Sequence, residues 1–406
     1  MKRILSVLLA AMLLVSPLTS LAAFTEDQAA ELDKVLARDF KAYSTLGGCV
    51  VLIENGEITY TFSYGMRTLG GDPVTPETAF RVGSISKMVS AVGLMKLVEE
   101  GKASLDDDLS DLLGFPVRSP YAPDVPITLR QLMTHTAGLG EPFLYTRATR
   151  FDAVPLSRLF DEDQWLNTFL EKAVPGKVCE YSNLGGGIMG SIIEQLSGEE
   201  LDSYMRRILF DPLDIHAAAY QTPLIPEDVL MCNIYRMPEK ELGRELTRDE
   251  PCDTSYAPML HYNRTAGSLT ITPMGLAKIV LMLCEGGIYE DQRILNNSTV
   301  REMCTLQDFR GSVQCETGRG LFMNIITDYQ VEGRTLYGHG GKAYGMLCAA
   351  YFDPEDRTGV VMLTNGCLAD SMYHGVGKLG RFVLTHVYDA LEASGYEAES
   401  PYLVED

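Results

Sequence analysis

Three short runs of residues could together carry out nucleophilic chemistry on a carbonyl. The first is Ala79-Phe80-Arg81-Val82-Gly83-Ser84-Ile85-Ser86-Lys87. After Gly83 an apolar helical pattern sets in, with Met88, Val92, Met95 and Val98 recurring until Gly101, so Ser84 stands at a helix start. Its hydroxyl and its own N–H then lie at the positive end of the helix dipole, and Lys87, three residues on, shares its face. A serine hydroxyl is a weak nucleophile at neutral pH. A lysine amine kept neutral by burial or by a neighbouring cation would take its proton. Ser-x-x-Lys also arises by chance, and taken alone a helix-capping serine explains it equally well.

The second run, Tyr181-Ser182-Asn183, follows the turn Pro175-Gly176-Lys177 and precedes a helix predicted from Leu184 to Leu196. Tyr181 and Asn183 can point into one cleft; alternatively, Asn183 caps the helix while Tyr181 packs. The third run, His339-Gly340-Gly341, lies between Leu336-Tyr337 and the apolar stretch Met346 to Phe352. Two glycines in a strand mark a place where a ligand or another backbone comes close, whereas a lone histidine there is more often structural than catalytic.

In this order Ser84-x-x-Lys87, Tyr181-x-Asn183 and His339-x-Gly341 resemble the serine β-lactamase and penicillin-binding family, especially its class C-like branch. The similarity extends to Leu132-Met133-Thr134-His135-Thr136-Ala137-Gly138-Leu139, Pro175-Gly176-Lys177, Thr265-Ala266-Gly267-Ser268-Leu269 and Leu363-Thr364-Asn365. It covers nearly the whole chain beyond its first residues. The resemblance implies that Ser84 forms an acyl-enzyme, with Lys87 and Tyr181 sharing the base work and Asn183 holding Lys87 or the substrate amide. It implies that His339, Gly340 and Gly341 line the substrate. The backbone N–H groups of Ser84 and Lys342 would form the oxyanion hole.

Where this chain has His339, many β-lactamases carry a lysine that helps to read the substrate carboxylate. An imidazole near its ordinary pKa of about 6.5 is largely neutral at pH 7, so its pull on a carboxylate is weaker, and its protonation should be visible in the pH–rate profile. The deacylating glutamate of class A enzymes has no counterpart; the nearest lookalike, Asp163 to Asn167, precedes Tyr181. His-x-Gly is shared within the family by D,D-peptidases, D-aminopeptidases and esterases. The expected activity is therefore that of a serine hydrolase acting on D-residue peptides, amides or small esters. A β-lactamase is one alternative. A penicillin- or peptidoglycan-binding protein with little turnover is the other.

The surrounding chain must position these groups. Residues 1–23 carry Lys2-Arg3, an apolar run from Ile4 to Val15 and small residues at Ser20 to Ala23, the pattern of a secretory signal peptide. A periplasmic or extracellular location is expected, with no later segment apolar enough to span a bilayer. The formal net charge of −21 argues against nucleic-acid or anionic-membrane partners and leaves a small molecule or short peptide as the substrate. No cofactor is called for, and no Cys-x-x-Cys or histidine-rich spacing suggests a metal. Nine cysteines cannot all pair within one chain; Cys304–Cys315 and Cys232–Cys252 are the candidate disulfides, and buried thiols account for most of the rest.

Thr25-Glu26-Asp27-Gln28 is a capping box opening an amphipathic helix to about Ser44. Cys49 to Ile53 and Ile58 to Phe62 flank Asn55-Gly56, a strong hairpin signal. From Ser104 to about Tyr262 the pattern is helical, with helices at Thr128 to Thr134, Gln164 to Ala173, Leu184 to Leu196 and Leu201 to Phe210. Pro142 to Phe160 reads as a cleft-lining loop and Pro238 to Asp253 as a solvated excursion. A helix follows Thr272-Pro273. Strands return at Gly320 to Thr327, Leu336 to His339, Met346 to Phe352 and Gly359 to Leu363, and a helix from Ser371 to Ala393 closes the pattern.

The expected fold is α+β: an antiparallel β-sheet built from both ends of the chain, flanked by helices, with an all-helical lobe inserted. The expected organisation is a signal peptide (1–23), a hydrolase domain (24–394) split into an α/β lobe (24–83 with 264–394) and a helical lobe (84–263), and an acidic tail (395–406).

Overall fold

The computed structural model describes residues 24–141, 155–164, 168–221, 224–232, 264–307, 310–311, 318–327, 331–343, 345–367, 372–373 and 375–398. Its centre is a seven-stranded antiparallel sheet of β1 (Gly47–Glu54), β2 (Glu57–Gly65), β3 (Gly318–Arg319), β4 (Asn324–Ile326), β5 (Leu336–Ala343), β6 (Met346–Asp353) and β7 (Thr358–Asn365), in the order β3-β4-β5-β6-β7-β1-β2. Both ends of the chain feed this sheet, as their strand patterns predict. The central strands read as unbroken apolar runs because both faces are covered. Cys49, Val51 and Ile53 of β1 enter one core while Val50 and Leu52 enter the other.

One face is closed by α1 (Glu26–Ala42), capped by the Thr25/Gln28 box, which buries Leu32, Leu36 and Phe40 beside α6 (Lys378–Ser394). The other face receives α5 (Pro273–Cys284), with Thr272 as N-cap and proline at its first position. Beyond it lie α2 (Ile85–Glu99), α3 (Leu129–Met133) and α4 (Asn183–Ser197). The core that holds Val51 also holds Met88 and Ile188, so sheet and helices share one apolar interior. Helix α2 is buried almost all round rather than along one stripe: from Ile85 to Leu97 only Lys96 is not buried. It is a central helix, which is why charged residues other than Lys87 are missing from its first two turns.

Several expectations need correction. Gly320 to Thr327 is not one strand: the chain turns between β3 and β4, with Phe322 at a φ of 50° and its N–H donating to Met133 O at 2.7 Å. Strand β5 does not stop at His339 but runs on to Ala343, so the histidine–glycine triplet lies inside the strand. The helix expected from Gln164 to Ala173 does not continue past Thr168, because Phe169 bridges to Leu139 and Lys172 takes a positive φ; residues 165–167 lie outside the described residues. The closing helix starts only at Lys378, after Met372–Tyr373 and Val376–Gly377 have paired.

The helical region is not purely helical: Val178–Cys179 pairs with Arg310–Gly311, and Ala218–Ala219 joins Phe80–Arg81 and Thr270–Ile271 in a small sheet. Both candidate disulfides fall, since Cys232 and Cys304 are thiols; Cys179 is disulfide-bonded, to a partner outside the described residues. Most of Pro142 to Phe160 also lies outside them, its end forming a 3-10 turn at Leu156–Phe160, as does all of Pro238 to Asp253, residues 1–23 and the end of the tail. No helix among the described residues is long and apolar enough to cross a membrane.

The sheet meets α2 through bare backbone. A Cβ on Gly341 would lie 2.1 Å from the carbonyl oxygen of Val82, and one on Gly83 would lie 3.2 Å from the amide nitrogen of Lys342. Gly83 also has a φ of 56°, which suits glycine and turns the chain into α2 at Ser84. Gly341→Ala should push β5 away from Ser84. Since misplacement by about an ångström can cost around 10²-fold in rate, hydrolysis should fall by about that factor while circular dichroism still shows a folded protein. Unchanged activity would mean that this approach does not set the site.

Candidate active site

Ser84 occupies the N-cap position of α2, but its side chain caps nothing. The neighbouring Ser86 does the local work instead: its Oγ donates to Gly83 O at 2.6 Å and accepts from Leu269 N at 3.0 Å. The Ser84 hydroxyl is left to the site. Tyr181 OH donates to Ser84 Oγ at 2.7 Å, and Lys87 Nζ stands 3.3 Å from the same oxygen.

Lys87 is fully buried, and burying an amine is unfavourable unless it is hydrogen-bonded. Its Nζ donates to Asn183 Oδ1 at 2.9 Å and to Ala266 O at 2.7 Å. Neither oxygen carries a proton, so these bonds occupy two N–H groups. The third position of the amine, facing Ser84, is left to carry a proton or to receive one. Gly186 makes room for the lysine stem, since a Cβ there would sit 2.4 Å from Lys87 Cε. Thr265 Oγ1 donates to Gly186 O at 2.6 Å and thereby ties α4 to the short helix Arg264–Gly267 that presents Ala266.

Tyr181 and Asn183 are placed by the start of α4. Ser182 is its N-cap, accepting from Gly185 N at 3.1 Å, so Asn183 is not the cap that the sequence allowed. Asn183 is oriented by Glu141, whose Oε1 accepts from Asn183 Nδ2 at 2.6 Å and from its backbone N–H at 3.0 Å. The amide oxygen is thereby turned toward Lys87.

The Tyr181 ring lies among four groups: the His135 ring at 4.5 Å between centroids, the His339 ring at 6.4 Å, Lys87 Nζ at 4.8 Å and the Arg319 guanidinium at 5.8 Å from its centroid. His135 Nδ1 accepts from Ser182 N at 3.2 Å, which fixes its tautomer with the proton on Nε2. Arg319, on β3, is 3% exposed and hydrogen-bonds Asn324 Oδ1. Sequence reasoning assigned no role to His135, Ala266, Glu141 or Arg319. His135 and Ala266 stood within family-like runs without one. Glu141 carried only its adjacency to the run ending at Leu139, and Arg319 carried no signal.

His339 behaves differently from expectation. It is 3% exposed, its Nδ1 donates to Gly340 O at 2.6 Å, and its buried Nε2 finds no hydrogen-bond partner among the described residues. Burial first, then the positive charges of Lys87 and Arg319, pull its pKa down to about 3. His135 is held well below its ordinary value by burial and by Arg319 and Lys87. The imidazole at 339 is therefore neutral well below pH 6.5, and its protonation will not shape the rate at physiological pH. Gly340 and Gly341 are both buried in β5, and Lys342 is exposed at the end of that strand.

Both histidines bind protons more weakly folded than unfolded, so stability is full above the unfolded pKa of about 6.5 and is lost as pH falls below it. The slope is up to about 1.4 kcal/mol per pH unit for each ring. Urea unfolding between pH 4.5 and 7 should show it, and His339→Gln should remove one ring's share; a His339→Gln slope equal to wild type would contradict the burial of a neutral ring.

The Beta-lactamase family profile matches residues 32–371. Penicillin-binding protein 4 of Amycolatopsis lactamdurans is 26% identical over 333 residues, 80% of this chain and 82% of its own. Esterase EstB of Burkholderia gladioli is 27% identical over 202 residues, 47% of this chain and 51% of the esterase. Among solved structures, the D-amino acid amidase from Ochrobactrum anthropi SV3 superposes with a TM-score of 0.70 at 21% identity, over 91% of this chain and 100% of its own, a likeness of fold. With that fold and with its profile matched over most of its length, the chain belongs to the Beta-lactamase family and is a serine hydrolase.

Proposed function

We propose that this hydrolase is exported, works through an acyl-enzyme on Ser84, and acts on amides or short peptides of D-residues carrying a free amine, or on small esters. The observation that carries this reading is the charge presented to a substrate. Glu141, an exposed carboxylate, is bonded to Asn183 beside the Lys87–Ser84 pair, while the triplet position holds a neutral imidazole. A carboxylate beside the nucleophile favours a substrate ammonium, and the neutral ring offers a substrate carboxylate no cation at the triplet's first position. The fold shared with a D-amino acid amidase, and the partial match to an esterase, support the same choice of substrates.

In this reading the Ser84 oxygen attacks the carbonyl carbon as its proton passes to the Tyr181–Lys87 pair. That proton is then delivered to the leaving amine or alcohol as the acyl bond to the old leaving group breaks. The backbone N–H groups of Ser84 and Lys342 hold the developing oxyanion, and one such donor is typically worth about 10²–10³ in rate. Asn183 keeps the amine of Lys87 directed at Ser84. A water deprotonated by the same pair releases the acyl group. Gly340 and Gly341, with the neutral ring of His339 behind them, border the substrate. Export is supported by the leader-like pattern of residues 1–23 and by the disulfide at Cys179, since disulfides persist in oxidising compartments.

A panel of a D-amino acid amide, its N-acetyl derivative, a short-chain nitrophenyl ester, a chromogenic cephalosporin and a fluorescent penicillin tests the reading. The free-amine amide and the ester should be turned over, N-acetylation should raise KM about tenfold, and Glu141→Gln should raise KM for the amine substrate while sparing the ester. Cephalosporin turnover exceeding that of the amide, insensitive to Glu141→Gln, would favour a β-lactamase. Penicillin retained without turnover of any substrate would favour a binding protein.

A further inference from the structure

The site contains a buried charge that the mechanism above does not use. Arg319 lies on the short strand β3, directly opposite Asn324 in register, and only 3% of it is exposed. Asn324 is itself fixed: its Nδ2 donates to Tyr351 OH at 3.1 Å and to Gly375 O at 3.2 Å, which turns Oδ1 toward the guanidinium. Burying a guanidinium is costly, and an arginine keeps its charge. Burial lowers its pKa, and the neighbouring Tyr181 and Tyr351 work the other way.

We infer that Arg319 is a positioning residue for catalysis, its buried guanidinium supplying a second positive charge, beside that of Lys87, that eases loss of the proton from Tyr181. Two cationic groups thus approach the same ring, Lys87 Nζ at 4.8 Å and the Arg319 guanidinium at 5.8 Å from its centroid. A cation at this range favours negative charge on the phenol oxygen in a poorly solvated site. His339 cannot provide it, because its buried ring is neutral. The charge comes instead from the hairpin two strands further along the sheet edge.

The other groups facing Tyr181 are Ser84 and Lys87 from α2, His135 from the turn after α3 and His339 from β5, with Glu141 reaching the cluster through Asn183. Tyr351 faces Arg319 from β6. Burial and the nearby cations hold both imidazoles well below their ordinary pKa, that of His339 at about 3, so they do not supply the acid limb of the rate profile. That limb belongs to the Lys87–Tyr181 pair acting together. Removing the positive charge beside its ring makes Tyr181 hold its proton more tightly, so the limb moves to higher pH.

The inference rests on Tyr181 sharing the base work, and the test separates the two. The limb of kcat/KM is measured on the nitrophenyl ester for Arg319→Gln, Arg319→Lys and Asn324→Asp. Arg319→Gln should lower kcat/KM about 10–100-fold and move the acid limb up by about one pH unit, and Arg319→Lys should return it toward wild type. Asn324→Asp sets a carboxylate against the guanidinium without removing it. It should shift the limb in the same direction, and it decides the matter if Arg319→Gln does not fold. In a Tyr181→Phe background the Arg319→Gln effect should vanish. A fixed limb in the neutralised variants, or an undiminished effect without the phenol, would reduce Arg319 to a structural role. Wild-type turnover by Tyr181→Phe alone would overturn the proton route itself.

Discussion

The structure depends on keeping a lysine amine out of water beside a serine hydroxyl. Lys87 is fully buried, and its partners come from three separate stretches: Ser84 one turn back, Asn183 at the head of α4, and the Ala266 carbonyl from the short helix before the small-sheet strand Thr270–Ile271. An amine in that position is tolerable only if every contact is made, so α2, α4 and the segment around Ala266 must converge on it. The glycines follow from the same demand. Gly186 leaves room for the lysine stem, and Gly341 lets a strand backbone press against the turn that carries Ser84.

Charge is distributed unevenly around this point. The positive groups, Lys87 and Arg319, are buried behind Ser84 and Tyr181, while the carboxylate of Glu141 faces outward. The two histidines beside Tyr181 are kept neutral by the cations they adjoin and by burial. In the reading proposed above, positive charge serves proton transfer within the protein, and the substrate meets a neutral ring and a carboxylate. A family fold tuned to lactam carboxylates would need a fixed cation at the His339 position instead. The family and the fold do not decide the substrate; in the reading proposed above, the charges on these few side chains do.

Local chemistry was legible in the sequence wherever it is set by near neighbours. The Thr25 capping box, the Asn55-Gly56 hairpin, proline after Thr272 and the Ser84–Lys87 spacing all depend on residues a few positions apart, and each forms as read. What escaped depends on the fold. Arg319 reads as a surface residue because arginines rarely lie buried, and only the turn between β3 and β4 brings it behind Tyr181. Glu141 reads as a solvated acid until α4 brings Asn183 to it. His339 was placed on the right strand and read as largely neutral at pH 7, but the fall of its pKa to about 3 escaped, because burial and two nearby cations, none of them visible in sequence, set it. The cysteines were mispaired for the same reason: spacing along the chain does not say which sulfurs meet.

The central claim is that Ser84 is the acylated nucleophile, and intact-mass analysis with a slowly released ester or lactam tests it most directly. A single adduct should form on the wild-type protein, map to the peptide that begins α2 at Ser84, and disappear in Ser84→Ala. An adduct on Ser86, or one of equal yield in Ser84→Ala, would contradict the account.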